Sequence, residues 1–362
     1  MTNLSNGQSL RSTEQSPENS TTSDVYTDIY RLATSSVGWR KHPLDIAVAR
    51  GNDRLDLLQR MTTNDVLKLS GTDTSGNGTQ NVLVTDKARI IDVFTVLARE
   101  NDVLMLFSHG LGEKTLQWLE KYTFIDDFQT ERVSMEYASY LVFGARSLQL
   151  LEELTGASLL DMRQSAWQKV STAGGAEGII IKQQPLCNFC HILLVPKAHE
   201  EALCTILRGL EDVVEVDDAT FETLRIESAW GKHGAEWTDE RNPLEAGLVG
   251  LVDFKKGCYI GQEVIARLDT YNKVKVRLSG FVSNAPIPAN TQFFDSADDG
   301  KRTNIGAVSS TTFSPALGQY IALGYIRSQF ANPGATAHGI STDSEGTERA
   351  QTLEIVKLPF VM

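Results

Sequence analysis

The chain changes texture sharply near Val274, and that change limits what it can fold into. Downstream there are only short β-rich pieces, Val274 to Val282, Ile305 to Ser310, Ile321 to Ile326 and Leu353 to Val356, parted by Gly, Pro and Asn turns. Strands with no helix to lie against bury their apolar faces by closing on themselves or by stacking in pairs. Residues 274–362 are therefore expected to form a small closed or sandwiched β domain. A chain of 362 residues is also too long for one ordinary core.

Upstream, strands alternate with helices. Leu55, Leu58 and Met61 recur at helical spacing behind Asn52 and Asp53, a capping pair. Strand-like runs follow at Asn81 to Thr85, Arg89 to Ala98 and Val103 to Ser108, then a short helix through Leu111, Leu116, Leu119 and Tyr122. The pattern recurs: strands at Tyr140 to Phe143 and His191 to Val195, an amphipathic helix through Ala202 to Leu210, and a helix from Asp218 to Ala229. This order predicts α+β layers rather than a doubly wound sheet, with two similar subdomains across residues 25–230. Residues 1–24 are polar and are expected to be a disordered tail, with neither the apolar stretch of a signal peptide nor the charge balance of a transit peptide.

The formal net charge of -12 argues against non-specific nucleic-acid binding, since phosphate contacts need a basic surface. No apolar run is long enough to cross a bilayer, so a cytoplasmic protein without membrane partners is expected. Its four cysteines, Cys187, Cys190, Cys204 and Cys258, are expected to be free thiols. Cys187-Asn188-Phe189-Cys190-His191 matches a haem-attachment spacing, but it runs straight into an apolar strand and has no second Cys pair for zinc. It reads as two thiols and a histidine at a half-buried strand. Gly110-Leu111-Gly112 lacks the spacing of a dinucleotide fingerprint.

Two places could carry chemistry. On the run Arg89 to Ala98, strand alternation sets Asp92 on one face with Ile90, Phe94 and Val96, where a carboxylate must be hydrogen-bonded or border a cavity. The second is Lys256-Gly257-Cys258-Tyr259-Ile260-Gly261-Gln262-Glu263, followed by Arg267. Its glycines permit a tight turn before a helix starting near Gly261, and Glu263 and Arg267 have the spacing to pair along it. Cys258, between the Lys255-Lys256 pair and a helix start, is a plausible thiolate, although a small residue fitting a tight turn would look the same.

This run, with Leu58 to Asp65, Leu224 to Glu227, Asn242 to Leu248 and Gly306 to Pro315, resembles the YgfZ family of folate-binding proteins. These relatives of the glycine-cleavage T-protein support iron–sulfur enzymes. The resemblance spans about residues 37–360. It implies a cloverleaf of two interleaved ferredoxin-like α+β subdomains (25–273) plus a C-terminal β-barrel (274–362), around a central pocket for tetrahydrofolate or a one-carbon derivative. It implies that Glu227, in Arg225-Ile226-Glu227, accepts hydrogen bonds from the pterin. Asp92, Lys256, Tyr259, Gln262 and Arg267 join it as cofactor-binding candidates, Cys258 is the reactive thiol, and Lys273, Lys275 and Arg277 could hold the anionic folate tail. Iron–sulfur client or assembly proteins are the implied partners. The alternative is a folate-dependent aminomethyltransferase of the T-protein type. Against it, T-proteins carry an Asp-Asp doublet where this chain has Asp92-Val93, and their Thr-Gly-Tyr-Thr-Gly-Glu type segment is replaced near Gln184 to Cys190.

Overall fold

The computed structural model describes residues 22–172, 175–184, 186–296, 298 and 302–361. Most of the polar stretch 1–24 lies outside the described residues; a helix occupies Thr22–Ser35. The chain then weaves between two sheets. One has five antiparallel strands in the order Gly78–Val84, Ile90–Ala98, Val103–Ser108, Leu44–Arg50, Gln129–Arg132. The other has seven: Val213–Glu215, Val37–Lys41, Tyr137–Gly144, Phe189–Pro196, Glu177–Lys182, Trp167–Ser171 and Ser75–Gly76. Val37–Lys41 and Leu44–Arg50 are consecutive strands of different sheets, joined only by His42 and Pro43. The subdomains are interleaved, as expected.

Period-2 alternation explains why the sheets stack. Ile46, Val48, Leu97, Leu104 and Leu106 of the five-stranded sheet meet Leu141, Phe143, Ile179, Ile192 and Leu194 of the other in one buried cluster. The outer face of the five-stranded sheet packs on Leu57, Leu58 and Met61 of helix Arg54–Met61 and on Leu116 and Leu119 of helix Gly112–Glu120. The seven-stranded sheet is covered likewise by helices Ser147–Thr155 and Glu200–Arg208. Buried Trp167 ties the sheets together, its Nε1 donating to the Ala98 carbonyl at 2.8 Å.

One strand departs from simple alternation. Opposite Leu83 and Val84 the ladder pairs Asp92 and Ile90, so Ile91 is an extra residue in a bulge. Ile90 therefore packs with Val93 and Trp237, while Ile91 joins Phe94 and Val96 on the opposite face. The expected grouping of Ile90 with Phe94 and Val96 is corrected by that bulge. Asp53 likewise precedes its helix without a side-chain cap; its Oδ2 instead accepts from Asp127 N at 2.8 Å.

The C-terminal segment closes rather than stacks. Six strands, Val276–Ser283, Gln319–Arg327, Asn304–Ser314, Gln292–Phe294, Thr336–Thr342 and Glu348–Val356, form a barrel in that order, and the last pairs with the first. Phe281 and Phe293 stack inside it with centroids 4.1 Å apart. Helix Asp218–Glu227 bridges barrel and sheets, with Ile226 packed on barrel residues Val282, Ile321 and Leu323. Its start is fixed by Asp217, whose Oδ1 accepts from Thr220 N at 2.7 Å. Among the described residues no helix is long and apolar enough to cross a membrane.

Candidate functional site

A cavity of about 250 Å³ opens where the two sheets meet, beside the His42-Pro43 crossing. Its walls are aromatic and apolar: Phe107, Phe221, Trp230 and Trp237, with Val93, Leu106 and Ile192. The polar groups among them are Gln80, Thr95, Ser108, Gln183, His109 and His233, together with two cations, Arg225 and Lys232, each paired with Glu222. His42 joins them, its ring 6.2 Å from Trp230 and 6.4 Å from Phe221. Burial, then Arg40 and His109, pushes the His42 pKa down to about 4, which leaves it neutral at pH 7. A flat heterocycle with donors and acceptors on its rim suits such walls. A second cavity, of about 390 Å³, lies against the same Trp230, Gly231 and Trp237 wall and is otherwise bounded by Ala246 to Leu248, Leu251, Leu278 and Leu358.

The shared wall is held by a buried ionic cluster. Arg225 donates from Nη1 to Glu236 Oε2 and to the Trp230 carbonyl, both at 3.1 Å, and from Nη2 to Ser310 Oγ at 2.6 Å. Its Nε reaches Glu222 Oε2 at 2.7 Å. Glu236, fully buried, accepts from Ser309 Oγ at 2.7 Å, and its carbonyl accepts from the Tyr325 hydroxyl at 2.6 Å. The loop carrying both tryptophans is thus fastened to the barrel. Deleting one partner of such a buried pair typically costs about 3–5 kcal/mol.

None of the six residues expected to bind the cofactor lines the first cavity. Glu227 is buried with both oxygens engaged, Oε2 by the Tyr30 hydroxyl at 2.8 Å and Oε1 by Ser314 Oγ at 2.5 Å. Burial raises its pKa, against the pull of those two hydroxyls. Asp92 lies behind the wall: Oδ1 accepts from Val93 N at 2.8 Å, and Oδ2 faces Ser108 N at 3.3 Å and Thr115 Oγ1 at 3.4 Å. Burial pushes its pKa up to about 6. Val93, where T-proteins carry the second acid, does face the cavity.

Lys256, Tyr259 and Gln262 lie in a separate assembly. The Lys256 ammonium is buried and donates to the Thr62 and Asn64 carbonyls, both at 2.7 Å, with the Tyr259 ring 5.2 Å away. Desolvation lowers its pKa to about 8 although Asp65 and Asp253 oppose the shift. Ile260 N donates to Arg60 O at 3.0 Å. Gly261 has φ +83°, and a Cβ there would lie 2.7 Å from the Thr85 carbonyl, so glycine is required. The runs Leu58 to Asp65 and Lys256 to Glu263 are thus two halves of one interlocked structure. Cys258 is left exposed on it, as is Lys255, while Lys256 has turned inward. Glu263 and Arg267 are exposed and form no ion pair with each other.

Arg267, Lys273, Lys275 and Arg277 are also exposed and away from both cavities. The other cysteines are free but shielded: Cys190 and Cys204 are buried, and burial with the nearby Glu227 pushes the half-buried Cys187 up to about 12. Among the described residues no cluster of His, Cys, Asp or Glu is arranged to hold a metal ion. Sequence reasoning missed the cavity walls. The available signal was the pair Trp230 and Trp237 in a Gly-containing loop, two of only five tryptophans, outside any periodic element.

Comparison with known proteins agrees with this architecture. Residues 44–256 match the GCVT N-terminal domain and residues 277–361 the glycine cleavage T-protein C-terminal barrel domain. A chloroplastic Arabidopsis thaliana protein bearing a provisional transferase name is 29% identical over 79% of this chain, which spans 64% of that longer protein. The aminomethyltransferase of Halothermothrix orenii is 27% identical over 87% of this chain and 85% of its own length. The crystal structure of aminomethyltransferase T from Bartonella henselae has the same fold, with a TM-score of 0.78 at 20% identity over 93% of this chain and 89% of that one. The chain belongs to the glycine-cleavage T-protein family, a folate-dependent, aminomethyltransferase-like family.

Proposed function

We propose that the cavity between the sheets holds the ring of a reduced folate, tetrahydrofolate or a one-carbon derivative, and that the protein supports iron–sulfur enzymes rather than transferring aminomethyl groups. The observation that carries this reading is the cavity itself, an aromatic-walled space in which position 93 is a valine. Phe221, Trp230 and Trp237 would sandwich the ring, and Gln80, Gln183 and Ser108 would meet its edge. Folate, when bound, supplies a one-carbon carrier. Glu227 acts from behind, fixing the helix that presents Phe221 and Arg225, and Asp92 holds Val93 and Ser108 in register. Neither presents a free carboxylate to the ring.

Val93 cannot relay a proton, and general acid–base help is worth about two to four orders of magnitude. Aminomethyl transfer therefore lacks a group that T-proteins use. The signature around Cys258 supports the iron–sulfur role, with Cys258 as the reactive thiol.

Calorimetry with tetrahydrofolate tests the first claim. Binding is expected, and Trp230→Ala should weaken it about tenfold through loss of one aromatic face. Absence of any heat with the wild-type protein would sink the folate reading. The second claim is tested with a lipoyl carrier loaded with aminomethyl groups, on which turnover at the level of a genuine T-protein would restore the transferase reading.

A further inference from the structure

The loop from Trp230 to Arg241 has two sides. Trp230, Lys232 and Trp237 wall the first cavity, whereas Gly234, Thr238, Glu240 and Arg241 border another, of about 480 Å³, against the barrel. Arg241 is fixed through its main chain: its N–H donates to the Thr238 carbonyl at 3.1 Å, and its carbonyl accepts from Ile90 N at 3.0 Å. Its guanidinium lies over the Tyr325 ring, 4.1 Å from the centroid. A ring steadies a cation without neutralising it. Among the described residues the half-buried Arg241 guanidinium has no ion pair and no hydrogen bond, and neither has the exposed Glu240 carboxylate. These two are neighbours in sequence and line one cavity, yet they do not pair with each other. The other carboxylates around Tyr325 are already engaged, Glu236 by Arg225 and Ser309, and Glu245 by Arg89 at 3.7 Å and Asn242 N at 3.2 Å.

We propose that this cavity binds a free α-amino acid as its zwitterion, the carboxylate on Arg241 and the ammonium on Glu240. A guanidinium presents several N–H groups in one plane and matches a carboxylate in two parallel bonds, while a carboxylate accepts from an ammonium. One unpaired charge of each sign in the same cavity therefore asks for a ligand with the reverse pair. A plain anion is disfavoured, because Glu240 and a chain of net charge -12 repel it, whereas a zwitterion carries no net charge. The remaining polar groups suit an uncharged side chain. Gln292 Oε1 accepts from Asn304 Nδ2 at 3.0 Å, which leaves the Gln292 amide N–H groups to the cavity beside the Thr238 hydroxyl. The space is of a size for one small molecule.

The test is saturation-transfer NMR on the full chain with an equimolar mixture of the common amino acids. At least one should respond, and calorimetry on the strongest responder gives its affinity. Arg241→Gln and Glu240→Gln should each weaken that affinity on the order of tenfold or more. The N-acetyl and carboxamide derivatives of the same amino acid each lack one charge, and the wild-type protein should bind them about tenfold more weakly or worse. That comparison holds even if Arg241→Gln unsettles the loop. Silence from every amino acid, or binding unchanged in both variants, overturns the proposal. Equal binding of the N-acetyl derivative would mark a plain carboxylate site and overturn it as well.

Discussion

Replacing Lys256 with methionine keeps the apolar stem and removes only the ammonium. In the folded protein that ammonium satisfies two carbonyls, Thr62 and Asn64, at 2.7 Å each, and the first bond is fully buried. Hydrogen bonds to charged groups contribute about 1.5–3 kcal/mol, and a carbonyl left bare inside costs on that scale. Asn64 is only half-buried, so water can replace the second bond; the expected loss is about 2–4 kcal/mol. Chemical denaturation at pH 7 should show this as a lower midpoint with an unchanged slope. Lys255→Met, at the exposed neighbour, should stay within about 0.5 kcal/mol of wild type. The pH dependence gives a second check. The Lys256 pKa falls to about 8 from an ordinary 10.5, so between those values the unfolded chain holds a proton that the folded one has released. Stability from this group therefore rises with pH across that window and is lost as pH falls through about 8. The gap between wild type and Lys256→Met should widen from pH 8 toward 10. A loss below about 1 kcal/mol at pH 7 would refute the interlocking role, whereas a gap that narrows with pH would show that the two carbonyls hold the ammonium charged against desolvation.

Alkylation at neutral pH, read by peptide mass spectrometry, should modify Cys258 first, because Cys190 and Cys204 are buried and Cys187 is pushed up to about 12. Cys258→Ser should keep fold and folate affinity yet fail to support iron–sulfur enzymes in a strain lacking the protein; full support would reduce Cys258 to a small turn residue. Asp92, with a pKa raised to about 6 from 3.8, stabilises the fold at low pH and loses that contribution as pH rises through 6. Denaturation of Asp92→Asn from pH 4 to 6 should lack this decline, and an identical pH profile would show the carboxyl to be paired differently.

Periodic segments were legible in the sequence. The helix Arg54–Met61 and the strand Val103–Ser108 fall where their apolar residues put them, because the helix lays one face on a core and the strand is buried on both. From its residues alone the C-terminal segment read as closed or sandwiched, since strands as short as Gln292–Phe294 carry too few residues to show alternation; the family resemblance implied the barrel that is found. The signature near Cys258 was found from its residue types, yet its lysine was read as a ligand-binding cation. Its actual partners are main-chain carbonyls, which no sequence pattern displays. The partners of Glu227 were hidden for a similar reason: Tyr30 and Ser314, which hold its oxygens, lie far away along the chain.

The two-residue crossing at His42 and Pro43 bears on how the molecule assembles. Val37–Lys41 finds its partners only when Tyr137–Gly144 and Val213–Glu215 have been made, whereas Leu44–Arg50 pairs with strands that precede them. The seven-stranded sheet must therefore wait across a long chain separation, a slow, high-contact-order step, while the five-stranded sheet can form early. Since His42 lines the cavity, the cavity exists only once both sheets have closed around that hinge. A molecule lodged there would clasp early-forming and late-forming parts together, so its binding energy would oppose their separation and slow unfolding more than refolding.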